Sequence, residues 1–321
     1  MEQRSATESA WLATLRSEGY VVVPGVLTPD EVEQAQDLTW DWLESLGTGI
    51  SRTEVSTWSN ANWPGDKSSG IIASYGAGQS EAAWFVRGGE RVKTAFAEIW
   101  GTHDLITSMD CPILWTPWWL SDSEQWKPLS FGTHLDQNIV DRPGFLCVQG
   151  MVPLFPVTEA IGGLKIVPHS HKAEAQDKIR RNHPNMKGKS DFMRVGKSDI
   201  DRDPVLITAE PGDLILWDSR MVHVGEAGPG MRKGRFSFLN CRSWAVKEGE
   251  PSLSRCAFTV CMVPRTAASQ EVLEKRRKAF QVGETLCHRP DQYSPHPLAR
   301  VDNNDWVYQP IELSEKQRMI L

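Results

Sequence analysis

No apolar run in this chain approaches the roughly 18 residues that a membrane-crossing helix needs. The first ten residues are polar and lack the apolar core of a secretion signal. The six cysteines contain no C-x-x-C pair and no disulfide-like spacing. Cys111 and Cys147 lie in apolar runs, where a thiol behaves as a small buried hydrophobe. Together these absences predict a reducing, cytoplasmic setting. Positive charge is not in excess either: the formal charge is −6, which argues against nucleic acid as a global partner. There is no internal repeat and no convincing linker, so the 321 residues read as one domain.

What is present is ordinary in bulk, with 40% hydrophobic and 24% charged residues, the profile of a soluble globular protein. Tryptophan is the exception at 14 residues. Such side chains are first of all core material; Trp58, Trp63, Trp115, Trp118 and Trp119 also lie in segments suited to the mouth of a site.

The N-terminal part, 8–100, reads as mainly helical. A helix over 9–18 is stopped by Gly19, and a short strand follows over 20–27. Thr28, Pro29 and Glu31 form a capping box with proline at the first helical position. The helix they start carries Val32, Ala35, Leu38, Trp42 and Leu46 at three- and four-residue steps and ends at Gly47. Residues 51–78 read as loop, and 81–100 as helix interrupted at Gly88-Gly89.

From about 105 to 262 the pattern changes. Short strand-like runs at 105–115, 145–154, 163–167, 205–208, 214–217, 235–242 and 256–262 follow one another with turn residues between them. A series without interleaved helices predicts an antiparallel sandwich or barrel with flanking helices, not a doubly wound sheet. A charged amphipathic helix at 268–280 and a proline-rich wrapping tail to 321 close the chain. Residues 172–202 hold nine Lys or Arg against five Asp or Glu. That polar insertion reads as a solvated loop or as a lid that attracts an anionic substrate.

Within this frame His134 and Asp136 stand two apart, so on extended backbone they point to the same face. Asp213-Leu-Ile-Leu-Trp-Asp218 is a second strand, fed by a Pro211-Gly212-Asp213 turn, and it delivers His223 at the next bend. Two histidines and one carboxylate are the facial set that holds Fe(II) while leaving coordination positions open. Gln149 lies on the strand that follows His134 and Asp136, either facing a cofactor or held as a buried amide.

These segments resemble the phytanoyl-CoA dioxygenase family of Fe(II)/2-oxoglutarate oxygenases. The resemblance rests on Gly132-Thr-His134-Leu-Asp136, Val148-Gln-Gly-Met-Val-Pro-Leu154, Gly162-Gly-Leu-Lys-Ile-Val-Pro-His-Ser-His171, and the turn and strand leading to His223 and Arg235. One departure is His169, where the family usually has glycine. The resemblance implies a double-stranded β-helix, the jelly-roll or cupin-type barrel. It implies His134, Asp136 and His223 as iron ligands, with 2-oxoglutarate chelating the metal and O2 as oxidant. Arg235 is the residue suited to its distal carboxylate, with Ser237 on the same face and Arg232 as runner-up. The implied reaction hydroxylates, or otherwise oxidises by C–H abstraction, a small-molecule substrate, hydrophobic or anionic, and releases succinate and CO2. A carboxylate at 136 argues against halogenation, because related halogenases lack it. A non-catalytic barrel and a metal-binding cupin that needs no 2-oxoglutarate remain the alternatives.

Overall fold

The computed structural model of the chain describes residues 9–65, 68–120, 127–231, 252–299 and 306–321. The N-terminal elements are α1 (Ala10–Glu18), β1 (Tyr20–Val23), α2 (Pro29–Ser45), α3 (Glu81–Gly88) and α4 (Glu90–Trp100). Then follow β2 (Leu105–Thr107), β3 (Pro112–Trp115), β4 (His134–Leu135), β5 (Val148–Pro153) and β6 (Gly162–Ile166). The chain continues with α5 (Ala173–Asn182), β7 (Met193–Arg194), β8 (Val205–Leu206), β9 (Leu214–Asp218) and β10 (His223–Ala227). It closes with β11 (Arg255–Pro264), α6 (Gln270–Val282) and α7 (Glu315–Arg318).

The helix starts follow from local chemistry. Thr28 accepts from the Glu31 amide while the Glu31 side chain accepts from the Thr28 amide, the capping box expected at α2. Gly19 ends α1 in the left-handed conformation. Helices α3 and α4 are separate because Gly88-Gly89 interrupts them, as expected. The predicted strand over 105–115 is two strands, β2 and β3, divided by the segment that carries Asp110 and Cys111.

Two antiparallel sheets face each other. One has the order β1-β9-β5-β11-β2, with β3 also pairing β11; the other runs β7-β4-β10-β6-β8. Strand alternation divides the first sheet by face. Val148, Val152, Leu214, Leu216, Phe258 and Val260 pack with α1–α4 on the outer side. Met151, Ile215, Trp217 and Ala257 turn inward to meet Leu164 and Ile166 of the second sheet. This is the double-stranded β-helix, with the N-terminal helices as its outer cover. Trp58 and Trp63 are buried in that cover, Trp58 with its ring centroid 5.0 Å from Trp40, so they are core and not mouth. Among the described residues no helix is long and apolar enough to cross a membrane.

The insertion after His171 is not a simple solvated loop. It folds α5 and the short strand β7, and its Ile179, Met193 and Val195 bury against Leu135, Val167 and Val222. Few apolar residues suffice because these three fall on the buried side. The segment 235–242, predicted as a strand, lies outside the described residues.

Candidate active site

Strand β4 is two residues long, and its burial decides which way the site points. Leu135 is fully buried in the cluster under the insertion, so its neighbours His134 and Asp136 face the other way. The third side chain arrives through β9. Gly212 turns at φ +82, where a Cβ would stand 2.6 Å from the Leu27 carbonyl oxygen, so glycine is required there. Asp213 accepts the amides of Gly25 and Glu210 and locks the turn. Asp218, the last of five buried residues, accepts the Arg220 amide and reverses the chain into β10. His223 thereby pairs directly with His134 across β10 and β4.

The ligand atoms of His134, Asp136 and His223 lie within 4.8 Å of one another. His223 Nε2 is 3.2 Å from Asp136 Oδ2, and His134 Nε2 is 3.8 Å from Oδ1. Each histidine directs Nδ1 at the carbonyl oxygen two residues earlier: His134 to Gly132 at 2.8 Å and His223 to Met221 at 3.0 Å. A carbonyl only accepts, so the ring proton sits on Nδ1 and the Nε2 lone pair is free for a metal. Burial pushes the His134 pKa down, and His223 beside it adds to the effect. Burial alone would raise the Asp136 carboxyl, but His223 and His134 outweigh it and hold it well below the usual carboxylate range. A divalent cation bound between them would take the place of any proton on the two Nε2 atoms, leaving neutral imidazoles beside an ionised carboxylate. The donor set therefore fits Fe(II).

A second cluster, Asp110, Cys111 and His296, is equally compact but differently wired. Here the Leu298 amide donates to His296 Nδ1 at 3.2 Å, which leaves the proton of a neutral ring on Nε2, facing the Cys111 sulfur 3.7 Å away. Cys111 lies 3.3 Å from Asp110 Oδ1, and burial together with Asp110 pushes its thiol pKa well up. The three form a hydrogen-bonded chain, His296 to Cys111 to Asp110, and offer no free lone-pair tripod.

Gln149 faces the first cluster and donates to Asp136 Oδ2 at 3.2 Å. It stands opposite Trp217, whose ring is 5.7 Å from that of His223. Arg232, Arg235 and Ser237 lie outside the described residues. Sequence reasoning missed Arg255, the first residue of β11. It shares the inward face with Ala257 and is 4% exposed. Its Nη2 reaches Met151 Sδ at 3.1 Å, its guanidinium lies 4.3 Å from the Trp115 ring centroid, and its Nε has no partner among the described residues. Burial lowers its pKa to about 10. Arg87 is as deeply buried yet donates to the carbonyls of Gly78, Asp110 and Thr259. The signal for Arg255 was there: an arginine opening a strand whose alternate residues are core.

Sequence reasoning also left His288 and Phe192 without a role. His288 Nε2 donates to the Asp136 carbonyl at 3.1 Å. The Phe192 ring lies 4.9 Å from the His134 ring and remains 42% exposed. Phe131, 40% exposed, is joined to this rim through its carbonyl, which accepts from Arg194.

The profile of the family described as phytanoyl-CoA dioxygenase (PhyH) matches residues 15–234. "Ava biosynthesis cluster protein O" of Aspergillus versicolor is 25% identical over 308 residues, 89% of this chain and 86% of the relative. Solved structures of similar outline include the epimerase SnoN in complex with Fe3+, alpha ketoglutarate and nogalamycin RO. It is 16% identical, with a TM-score of 0.49 over 80% of this chain and 83% of that one. EctD from S. alaskensis is 16% identical, with a TM-score of 0.47 over 82% of this chain and 79% of that one. The profile spans the segments that carry His134, Asp136 and His223, and the chain belongs to the phytanoyl-CoA dioxygenase family of non-haem Fe(II)/2-oxoglutarate-dependent enzymes.

Proposed function

We propose that this enzyme hydroxylates a small-molecule substrate at an Fe(II) centre held by His134, Asp136 and His223, converting 2-oxoglutarate to succinate and CO2. The observation that carries the reading is the pair of Nδ1–H donors fixed on carbonyl oxygens, which aim two Nε2 lone pairs and one carboxylate at a common point. Iron bound there supplies the activation of O2. The chain supplies the rest. Gln149 fixes one Asp136 oxygen and leaves the other for the metal.

The distal carboxylate of 2-oxoglutarate needs a desolvated cation inside the barrel, and Arg255 has the required character. It is buried, inward-facing, and without a carboxylate partner among the described residues. Gln149 and Met151 are successive inward residues of β5, about 7 Å apart along the strand. With Asp136 at the first and Arg255 at the second, that separation suits a five-carbon diacid. Arg235, favoured by motif spacing, is the competing anchor. The exposed ring of Phe192 beside His134 supports an apolar substrate, because apolar surface beside a site marks what docks there.

Anaerobic titration of the apo-protein with Fe(II) and then 2-oxoglutarate tests the reading. A visible metal-to-ligand charge-transfer band is expected, and succinate should form once O2 is admitted. Iron binding without the band would favour a cupin that needs no 2-oxoglutarate, and no iron binding would leave a recognition barrel.

A further inference from the structure

Asp136 sits one residue beyond the two-residue strand β4, so the ladder that fixes His134 does not extend to it. Its carbonyl is taken instead by a side chain from the far end of the chain, His288. That histidine rides on a segment built as a hairpin. The Cys287 amide donates to Ser294 O at 2.8 Å, the His296 amide donates to Thr285 O at 2.9 Å, and Leu286 bridges Pro295. The hairpin is docked on the β2–β3 connection, where the Leu286 amide donates to Met109 O. Its second histidine, His296, contacts Cys111 on the same connection.

A further tie reaches the backbone just after Asp136. Asp191 accepts the Asn138 amide at 3.0 Å and also pairs with Arg142. Arg289, the residue after His288, holds Asp291 through a two-pronged contact and places Nη1 4.0 Å from Asp191. The hairpin thus holds the backbone of the carboxylate ligand directly at the Asp136 carbonyl, and it places a buried guanidinium beside Asp191, the residue that holds Asn138. The family profile ends at residue 234, so none of this hairpin belongs to the part of the chain it describes.

We infer that the hairpin over 284–296 is the clamp of the metal centre, and that His288 is a positioning residue which holds the Asp136 main chain, and so its carboxylate, in the ligating direction. This rests on the proposed metal role of Asp136. His288 touches neither metal nor substrate; it acts through the residue whose carbonyl it binds. A ligand on an unsupported loop must be ordered when the metal binds, and that ordering weakens affinity. A ligand already ordered avoids the cost.

The test is Co(II) binding to the full-length protein, followed by its d–d absorption spectrum, for wild type, His288→Leu and His288→Gln. Leucine keeps the bulk and loses the donor; glutamine keeps an amide N–H within reach of the carbonyl. His288→Leu is expected to weaken Co(II) binding about 10-fold or more, in the range of other outer-shell losses, and to change the spectrum. His288→Gln should recover most of the affinity. A purely structural role would lower the unfolding temperature of both variants and leave Co(II) affinity and spectrum as in wild type, which would overturn the inference. Equal loss in both variants would overturn it as well, since the donor would then be irrelevant. Wild type that binds Co(II) but gives no band with Fe(II) and 2-oxoglutarate would sink the oxygenase reading and leave the role of His288 standing.

Discussion

His134 and His223 are directly paired residues of β4 and β10, with ring centroids 4.4 Å apart. Strand register, not chance proximity, sets the distance between two proposed ligands that lie far apart in sequence. The pairing makes each histidine dispensable for the sheet, because backbone hydrogen bonds carry the ladder. Replacing His134, Asp136 or His223 by alanine is therefore expected to leave the circular dichroism spectrum unchanged. Metal affinity should fall by more than the roughly 100-fold that outer-shell changes cost, and turnover should be lost. Full activity in any one variant would remove that residue from the iron site.

Arg255 and Arg235 compete for the 2-oxoglutarate carboxylate, and one pair of variants separates them. Arg255→Met keeps volume and removes a buried cation whose described contacts are the Met151 sulfur and the Trp115 ring. A buried charge without a counter-ion is destabilising in the apo-protein, so this variant should unfold at the same temperature as wild type or higher. Its affinity for 2-oxoglutarate should fall about 100-fold, the value of a charge-assisted pair of bonds near 3 kcal/mol. Arg235→Met should then bind 2-oxoglutarate almost normally. The reverse pattern, read from the charge-transfer titration, would assign the anchor to Arg235.

Much of this centre was legible in the sequence because its signals are local. The alternation His134-Leu135-Asp136 and the Pro-Gly-Asp turn before β9 each state a geometry within a few residues. The capping box of α2 and the glycine pair between α3 and α4 did the same for the cover. Arg255 was harder to see because motif spacing pointed to an arginine nearer to His223, and position along the chain says nothing of which strand closes the sheet beside β5. His288 was invisible for a different reason. It acts on a main-chain carbonyl 152 residues away, and such a partner leaves no pattern in either segment. The insertion misled through composition: it is charged overall, yet Ile179, Met193 and Val195 fall where the fold needs them.

Acid should weaken that insertion through Asp199. Burial by itself would raise the Asp199 carboxyl, but hydrogen bonds from Asn182, His183 and the Gly196 amide outweigh it and hold the pKa below its ordinary value. The unfolded chain then binds the proton more readily than the folded one. Asp199 accordingly stabilises the fold above its unfolded pKa of about 4, and the contribution disappears as pH falls through the folded value. Asp199→Asn should be less stable than wild type at pH 7 by about 1–3 kcal/mol. In urea melts the gap should narrow steadily below about pH 4. A gap independent of pH would mean that the carboxylate charge plays no part.

His169 carries two opposed contributions that substitution can separate. It adopts φ +65, a left-handed conformation that costs an ordinary residue about 1 kcal/mol or more and that glycine adopts freely. Against that, its Nε2 lies 2.7 Å from a Glu18 carboxylate oxygen on α1, and both side chains are more than a third exposed. An exposed pair of this kind contributes about 0.5 kcal/mol. His169→Ala loses the pair and keeps the strain, so it should be destabilised. His169→Gly loses the pair but relieves the strain, at some cost from the greater freedom of the unfolded chain, and should lie within about 1 kcal/mol of wild type. The sharp expectation is the order: by chemical denaturation the glycine variant is the more stable of the two. If alanine proved equal or better, the positive φ would not be the cost that His169 bears, and the Glu18 contact would account for the position alone.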